Sequence, residues 1–254
     1  MIIEKTPAIL LSVLPYRESS CIVSLLTRVH GRINGITRGV KKQGTKKNIP
    51  VERGTLIDTI IYLRAQRDLQ NLGEIQISEF FPSIRSDIEK TALRDVALEL
   101  IIKSITDTES HPELFDSVFD FLFSLDKEKD RLKGCFLLLK FCFELADHLG
   151  FQLHTDFCPE CGKPDIIEQG GFLVIENGSI ICKICRRDQT QDLFFQSSHV
   201  RAIRGTYISD QLQSSSKDVV RIIKVALYYC RYHLGFKGEL KSVQFLEELF
   251  RVTD

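Results

Sequence analysis

Four of the eight cysteines in this 254-residue chain fall into two pairs of identical spacing, Cys158 with Cys161 in CPECGK and Cys182 with Cys185 in CKICRR. The full pattern is C-x2-C-x20-C-x2-C. Each C-x-x-C pair supplies two thiolates from one tight turn, and two pairs make a tetrahedral set for Zn2+ at Cys158, Cys161, Cys182 and Cys185. Gly162 follows the first pair, where the backbone has to fold back beneath the metal. The intervening DIIEQGGFLVIENGSIICK reads as two short strands around the turn NGS, a hairpin that returns the second pair to the first. Four thiolates on one Zn2+ leave two net negative charges, which Lys163, Lys183, Arg186 and Arg187 stand close enough in sequence to offset. Two disulfides and a redox C-x-x-C are the competing readings. A reducing interior argues against the first, and two pairs in one hairpin argue against the second. With cysteine at all four positions no place is left for a catalytic water, so the metal is expected to be structural. It would staple a module of about 35 residues, too small to hold itself together by burial alone.

The second stretch with chemistry in it is RVHGRINGITRGVKKQGTKK, which carries Arg28, Arg32, Arg38, Lys41, Lys42, Lys46 and Lys47 and no acid. Cations clustered among flexible glycines suit a phosphate backbone, because each neutralised phosphate releases a counterion. A solvated surface loop is the bland alternative. The formal net charge of zero hides an asymmetry that favours the first reading: residues 1–80 hold twelve Lys/Arg against seven Asp/Glu. Before Phe80 only Tyr16 and Tyr62 are aromatic. The predicted grip is therefore on backbone, with weak sequence preference and strong salt dependence.

The remaining titratable groups give no such constellation. There is no P-loop, no GxGxxG and no nucleophile elbow, and the six histidines are scattered, so structural or surface roles are expected for them. Cys21, Cys135, Cys142 and Cys230 lie in apolar runs and read as core thiols. No enzymatic activity is expected.

The elements that would carry these residues change character near residue 80. Up to there the chain is rich in Ile, Val, Leu and Thr, as in AILLSVLPY, CIVSLLTRVHGRINGITRGV, TLIDTIIYLRA and NLGEIQISEFF, broken at Pro15, Gly31 and Gly39. About five short strands result, a size that suits a small antiparallel barrel. After Pro82, helical spacing takes over: Ile88, Leu93, Val96, Leu100 and Ile101 form one stripe, and Leu114, Val118, Phe121, Leu122 and Leu125 another. Residues 130–150 read as a third helix; helices then stop and resume at 218–235 and 241–250. The most apolar run, residues 134–151, carries Lys140, Glu144 and Asp147 and is expected to be a buried helix, not a membrane span. The opening residues show no signal-peptide pattern, so an intracellular location is expected. The expected fold is α+β, and the expected division is 1–80 for the barrel, 81–154 and 192–254 for a helical domain, and 155–191 for a metal module inserted in it.

Taken together, these features resemble the bacterial RecO family of recombination mediators. The carriers are Tyr16 with Glu18, Thr27, Gly31 with Arg32, Gly39 with Lys41 and Lys42, then LGEIQISEFF, CPECGK with CKIC, and YHLGFKGELKSVQFLEEL with Leu234, Gly235, Leu240, Lys241 and Ser242. The resemblance implies an N-terminal OB-fold, then a helical domain with the zinc module inserted. It also implies cytoplasmic, nucleoid-associated work in DNA repair: binding of ssDNA and dsDNA, strand annealing, and help with recombinase loading. Implied partners are RecR and the acidic, apolar tail of single-strand binding protein (SSB), for which Lys and Arg beside apolar residues around YYCRYHLGFK would suit. Where members of the family often have an Arg-rich basic loop, this chain has lysines, which act as point charges. The alternative from residues alone is an RNA- or ribosome-associated zinc-ribbon protein.

Overall fold

The longest strand, Ile2–Tyr16 (β1), does two jobs because it is long enough to bend. Its first half pairs with Leu56–Leu63 (β4), Ile2 opposite Leu63, and its second half pairs with Ser20–Thr27 (β2), Leu14 opposite Ile22. The pairing register with β2 shifts between Leu10 and Ser12, where β1 turns from one neighbour to the other. Gly31–Arg38 (β3) pairs with β2, and Leu69–Glu79 (β5) closes the barrel, antiparallel to β4 and parallel to β3. The strand order β1-β2-β3-β5-β4 forms a closed barrel, the five-stranded Greek-key barrel of an OB-fold. The computed structural model describes residues 2–18, 20–38, 52–105, 109–164, 166–186, 193–206 and 216–252.

Inward positions alternate as the pleat requires. Ala8, Leu10, Val23, Leu25, Ile33, Ile57, Ile61, Leu72 and Ile75 fill the barrel. Gly35 belongs to this set for lack of space: a Cβ there would lie 2.7 Å from Leu72 Cγ. Pro15 does not break β1 as the sequence suggested. It pairs with Cys21 one position before the strand's end, and the turn comes at Arg17 and Glu18, where Arg17 takes φ 54°.

The chain forms two compact units whose division falls inside Ile88–Ser104 (α2), between Ala97 and Leu98. The first unit contains residues 1–87 with 98–126. Residues 98–126, counted from the sequence with the helical domain, are thus grouped with the barrel. Here Asp126, in Pro112–Lys127 (α3), accepts from the amides of Ser83 and Ile84 at the start of Pro82–Ser86 (α1). Arg32 of β3 donates to backbone carbonyls at the end of α2.

The second unit is built around Arg131–His148 (α4), apolar on nearly every face and buried. Asp130 caps it by accepting from the Lys133 amide. Ser216–Leu234 (α7) lies along it, with Tyr229 and Phe143 rings 5.4 Å apart and the Cys230 thiol donating to the Cys142 carbonyl. Two short helices, Ile166–Gln169 (α5) and Ser197–Ile203 (α6), occur where no helix was expected. Neither is long enough to establish a 3.6-residue period in sequence. Lys241–Val252 (α8) completes the unit. Gly171–Val174 (β6), Ser179–Ile181 (β7) and Phe194–Phe195 (β8) form a small sheet in the order β7-β6-β8. Among the described residues no helix is long and apolar enough to cross a membrane.

Candidate metal centre and nucleic-acid interface

The β6–β7 hairpin brings the two cysteine pairs together as their spacing predicted. The four sulfurs of Cys158, Cys161, Cys182 and Cys185 lie within 4.8 Å of one another. Cys161 and Cys182 sulfurs are 3.8 Å apart, the edge of a tetrahedron whose Zn–S arms are about 2.3 Å. Each pair is a tight turn. In the first, the Gly162 amide donates to the Cys158 carbonyl at 2.8 Å, with Gly162 at φ +70°. In the second, the amides of Cys185 and Arg186 both donate to the Cys182 carbonyl at 3.2 Å.

The donor chemistry fits a divalent cation. Burial pushes the Cys158 thiol up, but amides of Cys182, Cys161 and Glu160 outweigh it and bring the group down to about 7. Cys185 is pushed up to about 12 by the sulfurs of Cys161 and Cys182. Four thiols this close cannot all ionise side by side, and a central 2+ charge is what would let them. Lys183 and Arg186 stay near the cluster by lying over the rings of Phe194 and Phe172, at 4.8 and 5.2 Å. Arg187 lies outside the described residues. Among the described residues, these four cysteines are the group of metal-ligating side chains close enough to share an ion.

The module is fixed to α7 through its turn. His233 Nε2 donates to the Ile175 carbonyl at 2.7 Å, and Tyr229 donates at 3.1 Å to the carbonyl of Phe151, in the segment leading into the module. Gly178, at φ +60°, passes under Tyr229 so closely that a Cβ would meet its hydroxyl at 2.6 Å. His199 is buried between the rings of Phe136 and Phe195, with Nδ1 accepting from the Gln196 amide. Burial, aided by Arg221, pushes it down to about 4. Cys21, Cys135, Cys142 and Cys230 are buried thiols, as expected.

The basic stretch divides. Arg32 is engaged: Nη1 donates to the carbonyls of Ile102 at 2.6 Å and Ile105 at 2.8 Å, and Nε donates to Ser24 Oγ at 3.0 Å. A guanidinium so held is an end cap for α2, bonded on both Nη1 and Nε within the fold. Arg28 pairs with Asp116 at 2.7 Å on the surface, an exposed contact worth little. Arg38 ends β3 exposed. Lys41, Lys42, Lys46 and Lys47 lie outside the described residues.

A further basic surface was only partly foreseen. α7 and α8 border a cleft of about 470 Å3 lined by Lys217, Arg221, Lys224, Tyr228, Phe250 and Arg251 and by Glu247, which pairs with Lys224 at 2.6 Å, and an adjoining one of about 260 Å3 that includes Arg231, Phe236 and Glu239. Lys217, Arg221, Lys224, Tyr228 and Arg231 fall at intervals of three or four. That spacing puts them on one helical face and was available from sequence.

These features define an OB-fold protein with a helical unit carrying a metal-capable four-cysteine module. Two family models divide the chain between them, Recombination protein O N terminal over residues 1–81 and Recombination protein O C terminal over residues 85–243. The chain belongs to the RecO family of DNA repair proteins. It is similar to the DNA repair protein RecO of Exiguobacterium sibiricum, 24% identical over 259 residues covering 99% of each chain. It is similar also to that of Syntrophobacter fumaroxidans, 27% identical over 96% of this chain and 97% of the relative. For that of Pelobacter propionicus, the identity is 28% over 74% and 75%.

Proposed function

We propose that this chain is a recombination mediator that acts by binding and not by catalysis. It holds ssDNA and dsDNA through the basic stretch, anneals complementary strands, and with RecR assists recombinase loading on SSB-coated ssDNA in the bacterial cytoplasm. The observation that carries this reading is the joining, in a RecO-family chain, of an OB barrel with an acid-free run of seven cations in its sequence. Arg32 belongs to the fold, so Arg38, Lys41, Lys42, Lys46 and Lys47 are the proposed phosphate contacts, with Arg28 exchanging Asp116 for a phosphate.

The remaining parts take complementary roles. Residues 1–80 serve DNA; 81–154 and 192–254 serve protein partners. The cleft beside α7 and α8 has the cations and apolar walls that the acidic, apolar SSB tail requires. Zn2+ on Cys158, Cys161, Cys182 and Cys185 braces the module of residues 155–191 against α7, since its turn is bonded to His233 and passes close under Tyr229.

Fluorescence anisotropy of a labelled ssDNA at several salt concentrations tests the reading. Binding that falls steeply with salt and varies little with sequence supports it. Preference for a structured RNA over DNA in competition would favour the RNA-associated alternative.

A further inference from the structure

The four sulfurs of the metal centre are unequally sheltered. Cys158 and Cys182 are buried, Cys185 is half-buried and Cys161 is exposed. The first C-x-x-C turn carries Cys161 outward between Glu160 and Gly162, which are exposed as well. The remaining cysteines are withdrawn: Cys21, Cys135, Cys142 and Cys230 are each no more than 3% exposed. Burial pushes the Cys135 thiol up to about 12. Such thiols are inert, because the thiolate is the form that reacts. A cysteine bound to Zn2+ is held as the thiolate outright. Thiolate character and access therefore coincide at Cys161.

Reversible oxidation also needs a second sulfur in reach. The Cys182 sulfur stands 3.8 Å from that of Cys161, on the other turn of the centre, and all four lie within 4.8 Å of one another. An accessible thiolate beside a resolving thiol is the arrangement of a redox-sensing cysteine. We propose that Cys161 is a site of reversible oxidation by peroxide, resolved by Cys182, that releases the zinc and unfastens the module from α7. This inference rests on the zinc reading and goes beyond it, since it gives the metal a regulatory role.

The Cys161 sulfur attacks one peroxide oxygen, the O–O bond breaks, and the hydroxide that leaves takes a proton to become water. The Cys182 thiolate then attacks the sulfenic sulfur of Cys161. The S–S bond forms, the S–O bond breaks, and a second hydroxide leaves and is protonated. Two electrons have passed from the two sulfurs to the peroxide. Cys158 and Cys185, two ligands where four are needed, take up protons, and the zinc leaves as the aqueous dication. The consequence stays in the second compact unit, which contains both the module and α7, whereas the barrel belongs to the first. Without its metal the module keeps only the small β7-β6-β8 sheet and the contacts of its turn with His233 and Tyr229. α7 also lines the adjoining cleft through Lys224, Tyr228 and Arg231. Oxidation therefore acts on the unit assigned to protein partners and spares the barrel.

The test treats zinc-loaded protein with hydrogen peroxide beside an untreated control, reads zinc release with a chromogenic chelator, and maps disulfides by mass spectrometry after free thiols are blocked. The parent is expected to lose one zinc per chain, to gain a disulfide between Cys161 and Cys182, and to become open to protease within residues 155–191, with ssDNA affinity unchanged. Dithiothreitol and added Zn2+ should restore it. Cys161→His keeps a fourth ligand without the reactive sulfur and is expected to hold its zinc through the same treatment. Zinc retained by the parent under peroxide, a disulfide that omits Cys161, or release from Cys161→His as fast as from the parent would overturn the proposal and leave the structural zinc standing. A parent protein that binds no zinc at all would overturn the metal reading as well.

Discussion

The Arg32 guanidinium donates to the carbonyl of Ile102 at 2.6 Å, seventy residues along the chain. A helix leaves its last carbonyls without intrahelical donors, and a fixed cation there also meets the negative end of the helix dipole. Burial pulls the Arg32 pKa down from its usual value, in keeping with a group built into the fold.

Arg32→Ala should therefore cost stability, by about 1–3 kcal/mol for lost charged hydrogen bonds, and should leave the salt dependence of DNA binding unchanged. Urea unfolding and salt-varied anisotropy on the same preparation check this. A flattened salt slope with unchanged stability would return Arg32 to the DNA surface.

Lys41→Glu with Lys42→Glu should behave in the opposite way. Affinity should fall by a similar factor for every sequence tried, with a salt slope reduced by about two, while the unfolding midpoint holds. Unchanged affinity would move the contact surface elsewhere.

Cys158→Ser removes one of four converging sulfurs. Bound zinc measured by elemental analysis should drop below one per chain, and the unfolding midpoint should fall. Chelation of the parent should produce the same loss, because metal-binding energy here is folding energy. Full zinc content in Cys158→Ser would remove Cys158 from the ligand set.

His199 predicts a pH effect of defined sign. Its folded pKa, about 4, lies below the ordinary 6.5 because burial disfavours the cation. The unfolded chain then binds more protons between those values, so stability is full above about 6.5 and is lost as pH falls toward 4. The size is about 3 kcal/mol. His199→Gln should flatten stability against pH in this window relative to the parent at equal zinc loading. An unchanged pH profile would contradict the assignment.

How much of this was legible in the sequence depends on how local the signal is. The cysteine module was readable in detail, since ligand spacing, Gly162 and the NGS turn all lie within one short segment. The barrel was readable from alternation and turns. Pro15 misled because near a strand's end its missing amide costs little. The role of Arg32 was not readable: a charge count treats it as Lys41's equal, and only the long-range meeting of β3 with the end of α2 distinguishes them. The same long-range contacts group residues 98–126 with the barrel, although their helical pattern continues the downstream domain. The cleft face of α7 lay between these cases, because its spacing was present in sequence but its pairing with α8 was not.

The most direct test of the mediator reading is the rate at which the purified protein anneals complementary oligonucleotides coated with SSB. The account predicts clear acceleration over the SSB-coated strands alone, lost in Lys41→Glu/Lys42→Glu. Annealing no faster than in the absence of the protein, with the protein folded and zinc-loaded, would contradict it.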